Sequence, residues 1–227
     1  MYSLFKFFFW FLIYSFLGWL YESILCSVQE KKIINRGFLN GPYCPIYGTG
    51  SMLFLLILGH ENNPLLLFIF GALIACALEY ATSFAMEKLF HSRWWDYSDK
   101  KFNFQGRICL VGAIVFGLFA VALILLIHPF LTSLTEKIPP LILIIFTSVM
   151  LCAFISDILI TIKGFIGLDA KLKEFSELLH DPDEKHPILR MFSRQQNRMI
   201  KSFPNFKSLK YNDSLQKYRN FLKKPKK

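Results

Sequence analysis

Residues 107–128 read RICLVGAIVFGLFAVALILLIH, and between Arg107 and His128 no side chain is charged. A helix of ~20 residues rises ~30 Å, the thickness of the hydrocarbon core of a bilayer. A soluble domain rarely carries such a run, and in this chain it recurs. Residues 64–89 and 139–163 are long apolar runs too, each with a few charges, and so are residues 4–28, with Phe7, Phe8, Phe9, Trp10 and Phe11 near their start. A shorter apolar run covers 45–59. The sequence therefore predicts an all-α, polytopic membrane helix bundle with about five transmembrane helices. The bundle is expected over residues 1–163 and a basic cytoplasmic helical tail over 164–227. The composition agrees: of 227 residues 54% are hydrophobic, 25 are Phe, and the mean hydropathy is +0.40.

The run at 45–59 is short for a full crossing. It fits if the helix begins nearer Gly41, or if the chain enters as an irregular stretch packed inside protein. At the N-terminus, Lys6 alone precedes a long apolar run with no small-x-small cleavage site. The first segment is expected to remain as a helix.

A formal net charge of +10 would suggest nucleic acid, but its placement argues against that. Residues 163–227 hold 16 Lys/Arg and 7 Asp/Glu, so the tail alone carries +9. Beside a membrane, such a tail is expected to stay in the cytoplasm near anionic lipid. The loops after the first and third spans, together with the tail, hold 24 of the 26 Lys/Arg. The other side holds only Lys6 and Lys137. The positive-inside rule then places the N-terminus outside and the C-terminus inside. The expected surroundings are a lipid bilayer and no nucleic acid. Cys26, Cys44, Cys76, Cys109 and Cys152 are odd in number and form no CxxC pair, so no structural disulfide is expected.

Within the tail, Leu172, Phe175, Leu178 and Leu179 make one apolar stripe after an Asp169 cap, broken by Pro182 and Pro187. Phe192, Met199 and Phe203 suggest a second helix stopped by Pro204. Leu215, Tyr218, Phe221 and Leu222 suggest a third. The prolines and weak stripes suggest separate short helices rather than one packed domain.

Three carboxylates fall inside expected spans: Glu22, Glu79 and Asp157. Each lies within about two turns of the cytoplasmic end, at a depth of ~9–12 Å. An unpaired charge there costs about 2–3 kcal/mol. Small residues share their faces: Ser15 and Gly18 with Glu22, Ala72, Ala75 and Ser83 with Glu79, and Ala153 and Thr161 with Asp157. Small residues let helices approach, so these faces are expected to point inward. Arg36 and Arg107 are the natural counter-ions. Two readings stand side by side, a polar pocket open to the cytoplasmic side and ion pairs that fix helix packing. For Asp157 the packing role is favoured.

Arg93-Trp94-Trp95-Asp96-Tyr97-Ser98 reads either as an interfacial aromatic belt or as a re-entrant loop lining the pocket with Trp95, Asp96 and Tyr97. Asn40-Gly41-Pro42-Tyr43-Cys44, continuing as Pro45-Ile46-Tyr47-Gly48-Thr49-Gly50, resists regular helix and offers backbone groups to a ligand. A repeat is suggested too. Glu22 is followed by a loop ending Gly41-Pro42-Tyr43-Cys44, and Glu79 by one ending Gly106-Arg107-Ile108-Cys109, in the sense of parallel repeats. No GxxxxGK[ST], HExxH or GxSxG occurs. A metal held by Cys44, Cys109, Glu22 and Glu79 is a minor alternative. No metal and no cofactor are expected.

At Phe16-Leu17-Gly18-Trp19 with Glu22, at Arg36 through Gly48, at Trp95-Asp96-Tyr97-Ser98 and at Gly106-Arg107-Ile108-Cys109-Leu110, the sequence resembles a family of small bacterial integral membrane proteins, the ABC-transporter type IV permeases. The resemblance covers roughly residues 5–165. It implies a bacterial cytoplasmic membrane and a permease subunit, for which a homo-oligomer or a separate ATP-binding subunit is the partner to expect. Glu22, Arg36, Glu79, Asp96 and Arg107 are the candidate substrate-binding residues. Asn40, Gly41, Pro42, Tyr43, Cys44, Trp95 and Tyr97 are the candidate pocket loop. A membrane enzyme acting on lipid at the cytoplasmic surface, with Glu22, Glu79 or Asp96 as acid or base, and a non-catalytic scaffold remain alternatives.

Overall fold

A computed structural model describes residues 2–178, 192–203 and 206–223. Leu179, Pro182, Pro187 and Pro204 lie outside the described residues, as do the side chains of Asp169, Leu178 and Phe221. The structure is an all-α helical bundle. Its membrane helices are α1 (Tyr2–Glu30), α2 (Pro45–Leu58), α3 (Pro64–Phe90), α4 (Leu110–Ala122) with α5 (His128–Thr135), and α6 (Pro140–Phe165). Further along come α7 (Leu168–Leu178), α8 (Arg194–Ser202) and α9 (Asn212–Lys223). Short strands are β1 (Ser92–Arg93), β2 (Asn103–Phe104), β3 (Ile108–Cys109) and β4 (Lys207–Ser208). Four of the helices are long and apolar enough to cross a membrane, and α2 is a shorter apolar one.

Local chemistry sets the ends. Proline opens α2, α3 and α6, where a missing N–H costs nothing. Asn63 caps α3, its Oδ1 accepting from the Leu65 amide at 2.9 Å. Lys31 and His91, just past α1 and α3, take left-handed backbone, and Gly167 does so past α6 at φ +91°.

The fourth span differs from its expected bounds. Its helix starts at Leu110 because Ile108 and Cys109 pair with Phe104 and Asn103 across a hairpin. It also runs on past Pro129. Proline removes one i→i−4 bond, and the ladder re-registers through a π-helical turn at Leu123–Ile127.

The chain forms two compact units. The first comprises Met1–Thr82 and Tyr97–Ile158. There α1 and α2 pack at small residues. A Cβ on Gly18 would collide with the Tyr47 ring, and one on Gly48 with Ser15 Oγ and the Phe11 carbonyl. Tyr14, Met52, Phe54, Leu67, Ala75, Ala120 and Leu123 form one core, and Leu12, Leu39, Tyr43 and Phe154 form another. Burial is inverted as membrane solvation requires. Val111, Leu118, Leu141 and Val149 are exposed, while Ser15, Thr147, Glu79 and Asp157 are buried. Of the small-residue faces, Ser15, Gly18 and Ala75 are buried in this unit, Ala72 is half-buried and Ala153 is exposed; Ser83 and Thr161, also buried, belong to the second unit.

The short second helix has the irregular entrance. Fourteen residues rise ~21 Å, less than a full crossing. Residues 31–44 fold back onto α1 instead, with Leu39, Tyr43 and Cys44 buried. Their amides find acceptors: Ile34 on Ser27 Oγ (3.0 Å), Arg36 on Ser23 Oγ (3.2 Å) and Cys44 on the Ser15 carbonyl (2.9 Å).

The second unit comprises Ser83–Asp96 and Leu159–Lys227. Its helices are not separate pieces. Leu172, Phe175, Phe192, Met199, Leu215 and Tyr218 are buried together, with Phe175 5.6 Å and Phe192 4.0 Å from the Tyr218 ring. The expectation of independent short helices is corrected on this point, because three weak stripes complete one another. Antiparallel β4 pairs Lys207 with Arg93 and Ser208 with Ser92. Trp94 sits among Phe90, Phe165 and Phe206, each within 5.5 Å between ring centroids. Ser193 and Gln196 form a capping box on α8.

Candidate functional site

Glu22 faces inward from α1. Its Oε1 accepts the Tyr47 hydroxyl at 2.7 Å, and its Oε2 lies 3.7 Å from Arg36 Nε. Tyr47 stands at the start of α2, against Gly18, one turn before Glu22 on α1. The folded-back loop delivers Arg36 through the Ser23 bond to its amide. Asn35 steadies the loop by accepting from Trp19 Nε1 at 2.7 Å.

Glu79 lies on α3 and is 6% exposed. Its Oε1 accepts the Tyr97 hydroxyl at 3.0 Å. Its Oε2 is buried with no hydrogen-bond partner among the described residues. Tyr97 is placed by the hairpin that precedes α4. Its amide donates to the Gly106 carbonyl at 2.8 Å, and Asn103 Nδ2 closes the loop on the Lys100 carbonyl at 2.8 Å. Gln105 and Gly106 both have positive φ, +52° and +66°, as the central pair of a turn that the Arg107 amide closes on the Phe104 carbonyl at 3.0 Å. Burial pushes the Tyr97 hydroxyl above the ordinary phenol range, and the Glu79 and Glu22 charges add to it, so Tyr97 stays a donor.

The two carboxylates are within electrostatic reach of each other. Each takes a phenol O–H, and each neighbouring helix, α2 and α4, starts at a cysteine. Cys109 Sγ accepts from the Gly112 amide at 3.5 Å. Burial pushes the Cys44 thiol up to about 12, which keeps it protonated. Among the described residues, no group of three or more His, Cys, Asp or Glu is placed to hold a metal.

Asp157 has a different setting. Its Oδ1 accepts from the Asn40 amide (3.1 Å) and Asn40 Nδ2 (2.7 Å), and its Oδ2 accepts from the Gly41 amide (2.7 Å). These bonds clamp the loop to α6. Tyr43 packs its ring on Phe154 at 5.6 Å, and burial raises its hydroxyl, with Asp157 contributing. Pro42 is exposed.

Arg107 is buried, its guanidinium 5.6 Å from the Tyr80 ring centroid. Asp96 and Trp95 fall in the second unit. Asp96 Oδ2 is 2.6 Å from Lys207 Nζ, and its Oδ1 is 4.0 Å from Arg93, both in the second unit. Trp95 is half-buried. The structure thus gathers Glu22, Arg36, Glu79, Tyr97 and the loop 40–44 in the first unit, and holds Asp96 in the second. Tyr47 and Asn103 were not singled out in the sequence. Tyr47 stood inside the quoted loop motif, and the Gln105-Gly106 turn was the available signal for the hairpin that aims Tyr97.

Neither a curated protein nor a solved structure matches the chain. Residues 9–162, more than half of its length and including every residue of the Glu22 and Glu79 constellation, match the family described as "Putative ABC-transporter type IV", and the chain belongs to that family.

Proposed function

We propose that the protein is a permease-like transport subunit whose substrate path passes Glu22, Arg36 and Glu79. One observation carries this reading. A carboxylate oxygen of Glu79 is buried within a membrane helix with no hydrogen-bond partner among the described residues. Intramembrane ionisable groups that are not spent on packing mark ion and substrate pathways. The loop 40–44 and Tyr97 would shape the pocket, and Arg107 would face it from the start of α4. The charge asymmetry supports an N-terminus outside and residues 164–227 in the cytoplasm of a bacterial cell. A separate ATP-binding subunit docking on cytoplasmic loops, or a homo-oligomer, would complete a transporter with this few spans.

Reconstituted vesicles test the reading. Glu22→Gln and Glu79→Gln are each expected to lower substrate flux at least tenfold while the protein remains inserted and folded. Full flux in both variants would make the two residues packing elements. Turnover of a lipid by the purified protein in detergent, with no second compartment, would replace transport by catalysis.

A further inference from the structure

The two glutamates are not equivalent. Glu22 is paired on both oxygens, with Tyr47 on one and Arg36 on the other. Glu79 receives a single donor, Tyr97, on Oε1, and its Oε2 is closed off from solvent without a partner among the described residues. Oε2 looks toward the first turn of α4. A Cβ built on Gly112 would meet Glu79 Oε2 at 3.9 Å, Cys109 Sγ at 3.6 Å and the Phe116 ring at 3.9 Å. The titratable groups facing Glu79 are Glu22 from α1, Tyr97 from the loop before α4, Cys109 from the α4 cap and Cys76 from its own helix. Cys44, Tyr47 and Arg36 surround the neighbouring Glu22. Arg107 lies over Tyr80.

We propose that Glu79 is a proton-exchange site of the bundle, with the exchangeable proton on Oε2. The ligand fits the geometry. A metal cation would need four or more donor atoms, and among the described residues no group of three or more His, Cys, Asp or Glu is placed to hold one. A proton needs only the oxygen. With Oε2 carrying it, the acid keeps Oε1 as carbonyl acceptor for Tyr97, and no second negative charge is buried beside Glu22. On release, the proton passes from Oε2–H to a water, leaving the carboxylate bonded to Tyr97. Glu22 is held instead by Tyr47 on one oxygen and Arg36 on the other. The role of this proton in transport rests on the permease reading, whereas its binding does not.

Infrared difference spectra of the full chain in nanodiscs, recorded between acid and alkaline buffer, read the site directly. A protonated-carboxyl carbonyl band is expected in the native protein, lost in Glu79→Gln and retained in Glu22→Gln. In Tyr97→Phe the band should remain but move to higher frequency, because the carbonyl loses its hydrogen bond. Tyr97→Phe also keeps the assignment open to refutation if Glu79→Gln does not fold. No such band in the native protein, its survival in Glu79→Gln, or an unmoved band in Tyr97→Phe would each overturn the proposal. If the band behaves as expected and vesicles show no flux, the proton site stands and the permease reading falls.

Discussion

At the residue scale, Asp157 shows how a buried carboxylate is spent on structure. Both of its oxygens satisfy amides of an irregular segment packed against the bundle, groups that lipid cannot hydrate. Asp157→Asn keeps an acceptor for Asn40 but turns an NH2 onto the Gly41 amide. Asp157→Leu leaves both amides unsatisfied. We expect stability to fall in that order, by about 1–3 kcal/mol for each unsatisfied group. Thermal melts in detergent should record the loss, and amide exchange at Asn40 and Gly41 should accelerate. The three intramembrane carboxylates were visible in the sequence, and so was the structural bias of Asp157. Which amides it serves was not, because its partners lie 117 and 116 residues away and meet it only when α6 packs.

At the scale of elements, the α1–α2 crossing depends on backbone approach. A side chain at Gly48 has nowhere to go, because Ser15 and the Phe11 carbonyl occupy its place. Gly50, two residues on, would meet only the Leu78 Cδ2 methyl, at 3.4 Å. Gly48→Val should therefore lower the melting temperature, at a cost of about 1–3 kcal/mol. Gly50→Ala should leave it unchanged or raise it, because alanine is favoured over glycine within a helix by up to about 1 kcal/mol. Equal losses in both variants would mean that helix separation is not the cause. The second unit is also built by complementation of elements. Its strand β4 answers β1, and Phe206 answers Trp94. Removing residues 168–227 deletes both partners. Residues 91–96 should then become sensitive to limited proteolysis in detergent while α1 to α4 resist it.

For the molecule as a whole, the charge split gives a testable topology. In a chain whose native cysteines have been replaced, an impermeant maleimide added from outside should label a cysteine placed at Asn62 or Glu136. It should miss one at Lys100 or Lys210. The reverse pattern would invert the orientation. Arg36 and Arg107 follow the basic loops in either case, so the side on which the Glu22 and Glu79 groups open is decided by the same measurement.

The sequence by itself determined that this is a membrane helix bundle, roughly where each span runs, which carboxylates enter the membrane, and which family the loop motifs resemble. Hydropathy is a sum over consecutive residues, and proline and glycine act on their own turn, so these features can be read in one dimension. Only the tertiary structure decided who pairs with whom. Tyr47 meets Glu22 across 25 residues and Tyr97 meets Glu79 across 18. Asp96, one residue from Tyr97 in sequence, goes instead to Lys207 across 111. A hydrogen bond reaches about 3 Å, far less than the spread of positions open to an unfolded segment of those lengths. The packing of small residues at Gly18 and Gly48 and the hairpin turn at Gln105-Gly106 settle the first two of those distances, and among the described residues one oxygen of Glu79 is left without a hydrogen-bond partner.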